Sequence, residues 1–463
     1  MTLLVVLAAL AFLIVAAYRG HSVILMAPIA AMGAVLLTDP SAIAPAFSSI
    51  FMTYMANFVK AYFPVFMLGA IFGKVIEMSG FADAIVAAAV RHIGAHRAIP
   101  VIVVVGAVLT YGGVSAFVVV FAAYPFAASL FRQGDIPKRL IPATIALGAF
   151  TFTIDSLPGT PQIQNIIPTT FFGTTTWAAP VLGVIGGIFI LVLGLSYLEW
   201  RRRVAAARGE GYGVGHINEP EHLKDRELPP AYLAIMALVV VGVANFILTR
   251  QIPHWFGEGF SLHLPGMAEP IGGKIASVTA IWSVIGALLL GIAFVFVAAF
   301  ATLRDRFAEG SKAAVGGALL ASMNTAAEYG FGGVIAVLPG FLFVREALAA
   351  IPDPLFNAAI SVTTLAGITG SASGGMSIAL AAMAPDFIAA AKAAGIPLEV
   401  MHRVVSMASG GKDTLPHNGA VITLLAVTGL THRQSYKDIF ALTLIKSAAA
   451  VFVIIVYYTT GLV

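Results

Sequence analysis

Apolar residues fill this chain in long runs, and the runs are interrupted twice in the same way. Uninterrupted stretches at 3–18, 23–37, 54–72, 178–197, 231–248 and 275–303 have the length of helices that cross a bilayer. Two further runs break near their middle. The first carries Asp155-Ser156-Leu157-Pro158, followed by Gly159-Thr160-Pro161-Gln162. The second carries Asp413-Thr414-Leu415-Pro416, followed by His417-Asn418-Gly419. Hydrocarbon offers a broken backbone no water, so such gaps are tolerated only inside protein or along a wet cavity. Two of them in corresponding halves of a chain are the mark of a transporter binding site.

Each broken run follows a pair of apolar arms joined by a small-residue turn. In the first half the arms span about 99–109 and 117–131 around Tyr111-Gly112-Gly113-Val114-Ser115. Basic residues stand on both sides: Arg91 and Arg97 before, Arg132, Lys138 and Arg139 after. Eleven helical residues rise about 16 Å, short of the roughly 30 Å hydrocarbon. The pair therefore reads as a re-entrant hairpin entering and leaving on the cytoplasmic side, with two ordinary crossings as the alternative. In the second half, short arms flank the turn Gly370-Ser371-Ala372-Ser373-Gly374-Gly375, and Ile396-Pro397 leads into the break as Ile136-Pro137 leads into the first. Gly112 and Gly374 are 262 positions apart, Asp155 and Asp413 258, so the halves read as a duplication with small deletions. An odd number of crossings between them sets the copies in opposite orientation.

The expected fold is thus an all-α polytopic membrane protein of two inverted repeats, each with a re-entrant hairpin and a broken transmembrane helix. Residues 1–50 form N-terminal helices, and 51–199 the first repeat, with its hairpin at about 98–132 and broken helix at about 138–172. A charged cytoplasmic linker occupies 200–229 and connecting helices 230–303, with an outer loop at about 250–274. The second repeat takes 304–463, with its hairpin at about 356–391 and broken helix at about 398–430. Residues 74–97 read as an amphipathic helix on the inner face. An ascending helix at about 313–327 is expected to end before a mixed stretch, 328–350. Both termini are expected outside, which leaves most of the 26 Lys and Arg inside.

Composition agrees. Of 463 residues, 59% are hydrophobic and 10% charged, a balance no soluble domain of this size has. The net charge of +4 calls for no nucleic-acid partner, and the absence of cysteine excludes disulfides and thiolate chemistry. The first 18 residues, with no basic leader region or cleavage site, read as a retained helix. No hydrolase, nucleotide-binding or metalloenzyme motif occurs, so no enzyme, cofactor or metal is expected. His92 and His96 stand at i and i+4 without a third ligand.

Tips and breaks brought to the midplane supply helix N-termini, free backbone N–H groups and hydroxyls, a setting for a small carboxylate. The candidate substrate-binding residues are Tyr111, Gly112, Gly113 and Ser115 at the first tip, and Thr160, Gln162 and Asn165 at the first break. The second tip adds Ser371, Ser373, Gly374 and Gly375; the second break adds Lys412, His417 and Asn418. Asp155, Asp413 and His417 are the proton-coupling candidates. Lys412 either neutralises Asp413 or meets the substrate carboxylate. Asp155 has no adjacent base in sequence, which favours it slightly as the carrier. Both acids also suit caps of the half-helices. Glu328, placed at the outer end of its helix, reads as a flanking interfacial acid.

The duplicated break, the Tyr-Gly-Gly-Val-Ser tip and Asp155-Ser156-Leu157-Pro158-Gly159-Thr160-Pro161 resemble the gluconate permease family of bacterial proton symporters, part of the wider ion transporter superfamily. The resemblance covers essentially the whole chain and is most specific at 111–165 and 370–419. It implies an inner-membrane importer of a small hydroxy-monocarboxylate, a scaffold domain that forms a homodimer, and a transport domain that moves as an elevator. The polar break holds few groups for a long polyol, and Phe171 and Phe172 follow it. That favours a shorter acid such as 3-hydroxybutyrate over gluconate. A sodium-coupled carboxylate or dicarboxylate symporter of the same architecture is the alternative.

Overall fold

The computed structural model describes the chain apart from residues 1, 20, 95–96, 220–227, 370 and 417. Helices α1 (Thr2–Tyr18) and α2 (Val23–Thr38) pack on each other. A short turn, α3 (Ile43–Pro45), passes through a π-helical stretch, Ala46–Phe51, into α4 (Met52–Met78). Lys74 and Glu77 therefore lie in the last turns of α4 and pair with each other at 2.8 Å. The expected inner-face helix is thus only the short α5 (Phe81–Ile93), separated from α4 by the left-handed Gly80.

The first hairpin is α6 (Ala98–Tyr111) and α7 (Ala116–Gln133), close to the expected arms. The first broken helix follows as α8 (Ile141–Ala149), the single turn α9 (Phe152–Asp155) and α10 (Ile163–Phe172). Next comes α11 (Pro180–Ala207), which carries Arg201, Arg202 and Arg203 inside its last turns instead of in a linker. Helix α12 (Ala231–Phe256) runs eight residues beyond the expected end. The loop after it folds as an antiparallel pair, β1 (Gly259–Leu262) with β2 (Ile271–Lys274), so the protein is not wholly α-helical. Helices α13 (Thr279–Ala298) and α14 (Phe300–Leu303) lead into the second half.

There the helix expected to stop at residue 327 continues as α15 (Phe307–Val337), straight through Glu328. Gly330, Gly332 and Gly333 look like a break in the sequence. In the fold they are points of close packing: a methyl group would strike Phe51 at Gly330, Ile378 at Gly332 and the Tyr54 ring at Gly333. Helix α16 (Pro339–Ala349) follows after a 91° bend. The second hairpin is α17 (Pro354–Thr369) and α18 (Ala372–Ala393), and the second broken helix is α19 (Leu398–Gly410) and α20 (Gly419–Thr428). Arm α18 is not short: its 22 residues rise about 33 Å. The chain closes with α21 (His432–Thr460). Helices α10 and α20 both end on left-handed glycines, Gly173 (φ 64°) and Gly429 (φ 66°), so the two broken helices match in outline.

Among the described residues six helical segments are long and apolar enough to cross a membrane, or seven with the bent α15–α16 pair. This is a multi-span helical membrane protein. The second hairpin is packed to backbone contact: a Cβ at Gly375 would fall on the backbone of Ala366 in the opposite arm. Gly375→Ala is therefore expected to force α17 from α18 and cost about 1–3 kcal/mol, read as a lower melting temperature of purified protein.

Residues 208–219 form a strap across the ends of several helices. Glu219 pairs with Lys138 (2.8 Å) and Arg132 and accepts from the Tyr212 hydroxyl (3.0 Å). Glu210 takes both Nε (2.6 Å) and Nη2 (2.9 Å) of Arg139, whose Nη1 reaches Asp438 (2.9 Å). Asn218 donates to the Ala426 carbonyl (2.9 Å), tying the strap to α20. The hydrogen bonds of Arg139 hold Glu210 below the usual carboxyl range. Burial pushes Glu219 up, but Lys138, Tyr212 and Arg132 together outweigh it and leave it lowered. A carboxyl depressed on folding contributes stability above its unfolded value, about 4.3, and loses it as pH falls through the folded value. Glu210→Gln with Glu219→Gln is therefore expected to melt below wild type at pH 7, the gap closing toward about pH 3. A gap that stayed constant with pH would count against the strap.

Candidate functional site

The first tip and first break are tied together. The Tyr111 hydroxyl donates to the Pro158 carbonyl (2.9 Å), and Gln162 Nε2 donates to the carbonyls of Thr110 (2.8 Å) and Val114 (3.3 Å). Gly112 faces the Leu238 side chain, and Gly113 lies against Pro161. Ser115 caps α7 by position without a side-chain hydrogen bond. Thr160 is buried, and its hydroxyl has no hydrogen-bond partner among the described residues. Asn165 is committed inside the protein. Its Nδ2 donates to the carbonyls of Thr160 (3.0 Å) and Thr176 (2.9 Å), and its Oδ1 accepts from Arg403 Nη1 (3.0 Å). These bonds staple the two sides of the break together.

Carbonyls released by the first break are met from the second half, by α19. Arg403, fully buried, donates Nη1 to the Asp155 carbonyl (2.8 Å) and Nη2 to the Ala178 carbonyl (2.8 Å). Ser406 donates to the carbonyls of Asp155 (3.0 Å) and Gln164 (2.9 Å). His402 Nδ1 lies 2.7 Å from Thr174 Oγ1. These contacts answer the requirement that no broken backbone be left unsatisfied at membrane depth.

Asp155 is also paired, contrary to what its sequence neighbours imply. Its Oδ2 lies 2.5 Å from Lys446 Nζ of α21, and both side chains are completely buried. Lys446 further donates to the Phe150 carbonyl (3.2 Å), and Ser156 to Asp155 Oδ1 (2.7 Å). The argument that favoured Asp155 as an acid without a base is therefore overturned: its base is 291 residues away. Nor does Asp155 cap a half-helix, since it ends α9 and its carboxylate turns to α21.

At the second tip Ser371 caps α18, its hydroxyl accepting from the Gly374 amide (3.0 Å) with the Ser373 hydroxyl 3.4 Å away. Asp413 accepts from the Ala372 amide (3.1 Å), from Asn418 Nδ2 (3.3 Å) and from Gln164 Nε2 (2.8 Å). Gln164 belongs to the first broken helix, so this bond joins the two breaks directly. Asn418 caps α20 through the Ala420 amide (2.7 Å). Lys412 does not neutralise Asp413: it forms no ion pair among the described residues, and its stem runs past Gly367 of α17. His417 and His96 lie outside the described residues.

Glu328 is not interfacial. It is buried within α15, its carboxylate hydrogen-bonded to Ser371 and set against the Cα of Gly374. Sequence reasoning also missed Arg403, His402, Gln164, Asn245 and Lys446. An ionisable residue inside an apolar helix is a functional signal by default, and Lys446 carried that signal. Asn245, buried in α12, donates to the Gly159 carbonyl (2.9 Å).

A polar, cross-braced centre buried between two broken helices of a multi-span protein is the arrangement expected of a membrane transporter. No family model matches the sequence. The chain is 57% identical to "Uncharacterized transporter YxjC" of Bacillus subtilis (strain 168), over 472 aligned residues covering all of both chains. The chain belongs to the transporter family of that protein. The crystal structure of the Alcanivorax borkumensis YdaH transporter, described as having an unusual topology, superimposes with a TM-score of 0.56. That match covers 92% of this chain and 90% of the other at 15% identity, a likeness of fold alone. With a transporter as its full-length relative, the chain is a transporter and not an enzyme.

Proposed function

We propose that this transporter imports a small hydroxy-monocarboxylate, 3-hydroxybutyrate or a gluconate-like sugar acid, by proton symport. The observation that carries the reading is Lys412. It is a half-buried ammonium at the second break with no ion pair among the described residues, beside a tip whose serines and amides are hydrogen-bond donors. A cation left unsatisfied beside a helix N-terminus suits a carboxylate guest. Tyr111, Gly112, Gly113, Ser115, Thr160, Gln162, Ser371, Ser373, Gly374, Gly375 and Asn418 are the groups proposed to surround it. The recurrence of hairpin and break in the two halves supports an inverted repeat. On that reading the hairpins are re-entrant, the protein sits in the inner membrane of a bacterium as a homodimer with both termini outside, and the site travels by an elevator motion.

Uptake of labelled 3-hydroxybutyrate, gluconate and lactate into proteoliposomes under an imposed pH gradient tests the proposal. The expected result is saturable accumulation of 3-hydroxybutyrate, abolished when the gradient is collapsed. Absence of uptake of all three by folded protein would remove the reading. One observation favours sodium instead: the Thr110 and Thr160 hydroxyls are buried without a hydrogen-bond partner among the described residues, near backbone that Gln162 binds. Replacing Na⁺ by choline at fixed pH separates the two, since only sodium coupling predicts loss of uptake.

A further inference from the structure

Two buried carboxylates flank the second hairpin tip, and among the described residues no cation forms an ion pair with either. Asp413 holds the tip from the second break through the Ala372 amide (3.1 Å). Glu328 holds it from α15 through the Ser371 hydroxyl and lies so close to Gly374 that a side chain there would collide with its carboxylate. The next residues keep the same intimacy, for Gly332 of α15 sits against the Ile378 backbone of α18. The Asp413 charge also acts on Glu328. Tip, break and α15 therefore meet at one point, and that point carries two acids.

Among the described residues, the elements packed around α15 bring no cation into contact with this pair. Helix α2 and the π-helical stretch have no ionisable residue. Helix α4 brings the Tyr54 ring onto Tyr329 (5.3 Å) and the Tyr62 phenol; its Lys74 and Glu77 pair with each other, and its Lys60 is exposed. The acid of α18, Asp386, is matched by Arg345 of α16 (2.6 Å), Lys392 lies in the last turn of α18, and Glu346 stands beside Arg345. On the side of the break, Lys446 binds Asp155 and its charge also reaches Asp413, the half-buried Lys412 adjacent in sequence forms no ion pair among the described residues, and Gln164 is neutral. With the one buried cation that reaches Asp413, Lys446, already held by Asp155, two like charges at one buried tip repel each other, and one shared proton is the economical state.

We infer that Glu328 and Asp413 share the transported proton across the second hairpin tip, which makes Glu328 a coupling residue and the tip's contact with α15 the element it biases. The proton arrives from outer water onto a carboxylate oxygen and departs to inner water. Only an O–H bond is made and broken. The inference rests on the proton-symport reading and names its carrier; no relative's description assigns Glu328 a role.

The test separates net coupled transport from exchange. In proteoliposomes, Glu328→Gln is expected to lose pH-gradient-driven accumulation of labelled 3-hydroxybutyrate at least tenfold. It should retain exchange of internal for external 3-hydroxybutyrate, which needs no net proton movement, and that exchange should no longer vary between pH 5.5 and 8. Glu328→Asp, which keeps the acid on a shorter arm, is expected to accumulate substrate with a displaced pH profile. Accumulation by Glu328→Gln with the wild-type pH profile overturns the inference. So does loss of accumulation and exchange together in folded protein, which marks a structural role. If Glu328→Gln does not fold, Glu328→Asp decides, and an unchanged profile overturns the inference. Wild-type protein that transports without regard to pH removes the symport reading itself, a different outcome.

Discussion

Lys446→Met is expected to cost about 3–5 kcal/mol of stability, the largest single effect foreseen for this protein. The ammonium lies 2.5 Å from Asp155 Oδ2 with no exposure on either side chain, so removing it leaves a carboxylate with one hydroxyl, that of Ser156, as its remaining donor. A buried charge stripped of its partner is far costlier than the pair itself was beneficial, because desolvation has already consumed most of the attraction. Asp155→Asn is expected to be damaging for the mirror reason. The double variant, Asp155→Asn with Lys446→Met, is expected to regain most of the loss, since it removes both charges together. Thermal or denaturant unfolding of the three purified variants measures this. Singles as stable as wild type, or a double no better than the worse single, would show that the pair is not buried as described. On the proposed symport reading, the match of Asp155 with Lys446 makes Asp155 a brace and leaves Asp413 and Glu328 as the acids without an ion-pair partner among the described residues.

How much of this was legible beforehand follows from the range of the interactions. The hairpins and both breaks were readable because Gly, Pro, Asp and Ser punctuate apolar runs locally, and the expected broken helices at about 138–172 and 398–430 lie close to the observed ones. The partners of those breaks were not readable. Arg403 meets the Asp155 carbonyl across 248 residues and Lys446 meets its carboxylate across 291, and no local pattern reports a pairing of that span. Helix α15 was cut short for a related reason. Gly330, Gly332 and Gly333 resemble a loop when only the chain is considered, and become intelligible once Phe51, Ile378 and Tyr54 are seen filling the space a side chain would need. Glu328 was misplaced with them, since an acid near glycines looks interfacial until the helix is known to continue past it.

Lys412→Ala is expected to raise the KM for 3-hydroxybutyrate uptake about 100-fold, equivalent to about 2.8 kcal/mol, while leaving the fold intact. The two halves of that expectation come from one fact: Lys412 makes no ion pair with the described residues, so its removal breaks no described internal ion pair, and in the proposed site its ammonium meets the guest carboxylate. Truncating one member of a desolvated charge pair commonly costs 2–5 kcal/mol, and half-burial places Lys412 toward the lower part of that range. The melting temperature should hold, within the change of about 0.5 kcal/mol that such a position allows. Lys412→Arg keeps the charge but replaces a point donor by a planar fork on a different stem, so a partial recovery is expected. Concentration-dependent uptake, measured beside thermal melts of the same preparations, separates this from the Lys446 case, where stability falls first. An unchanged KM in a folded Lys412→Ala protein would place the carboxylate at some other donor of the two tips.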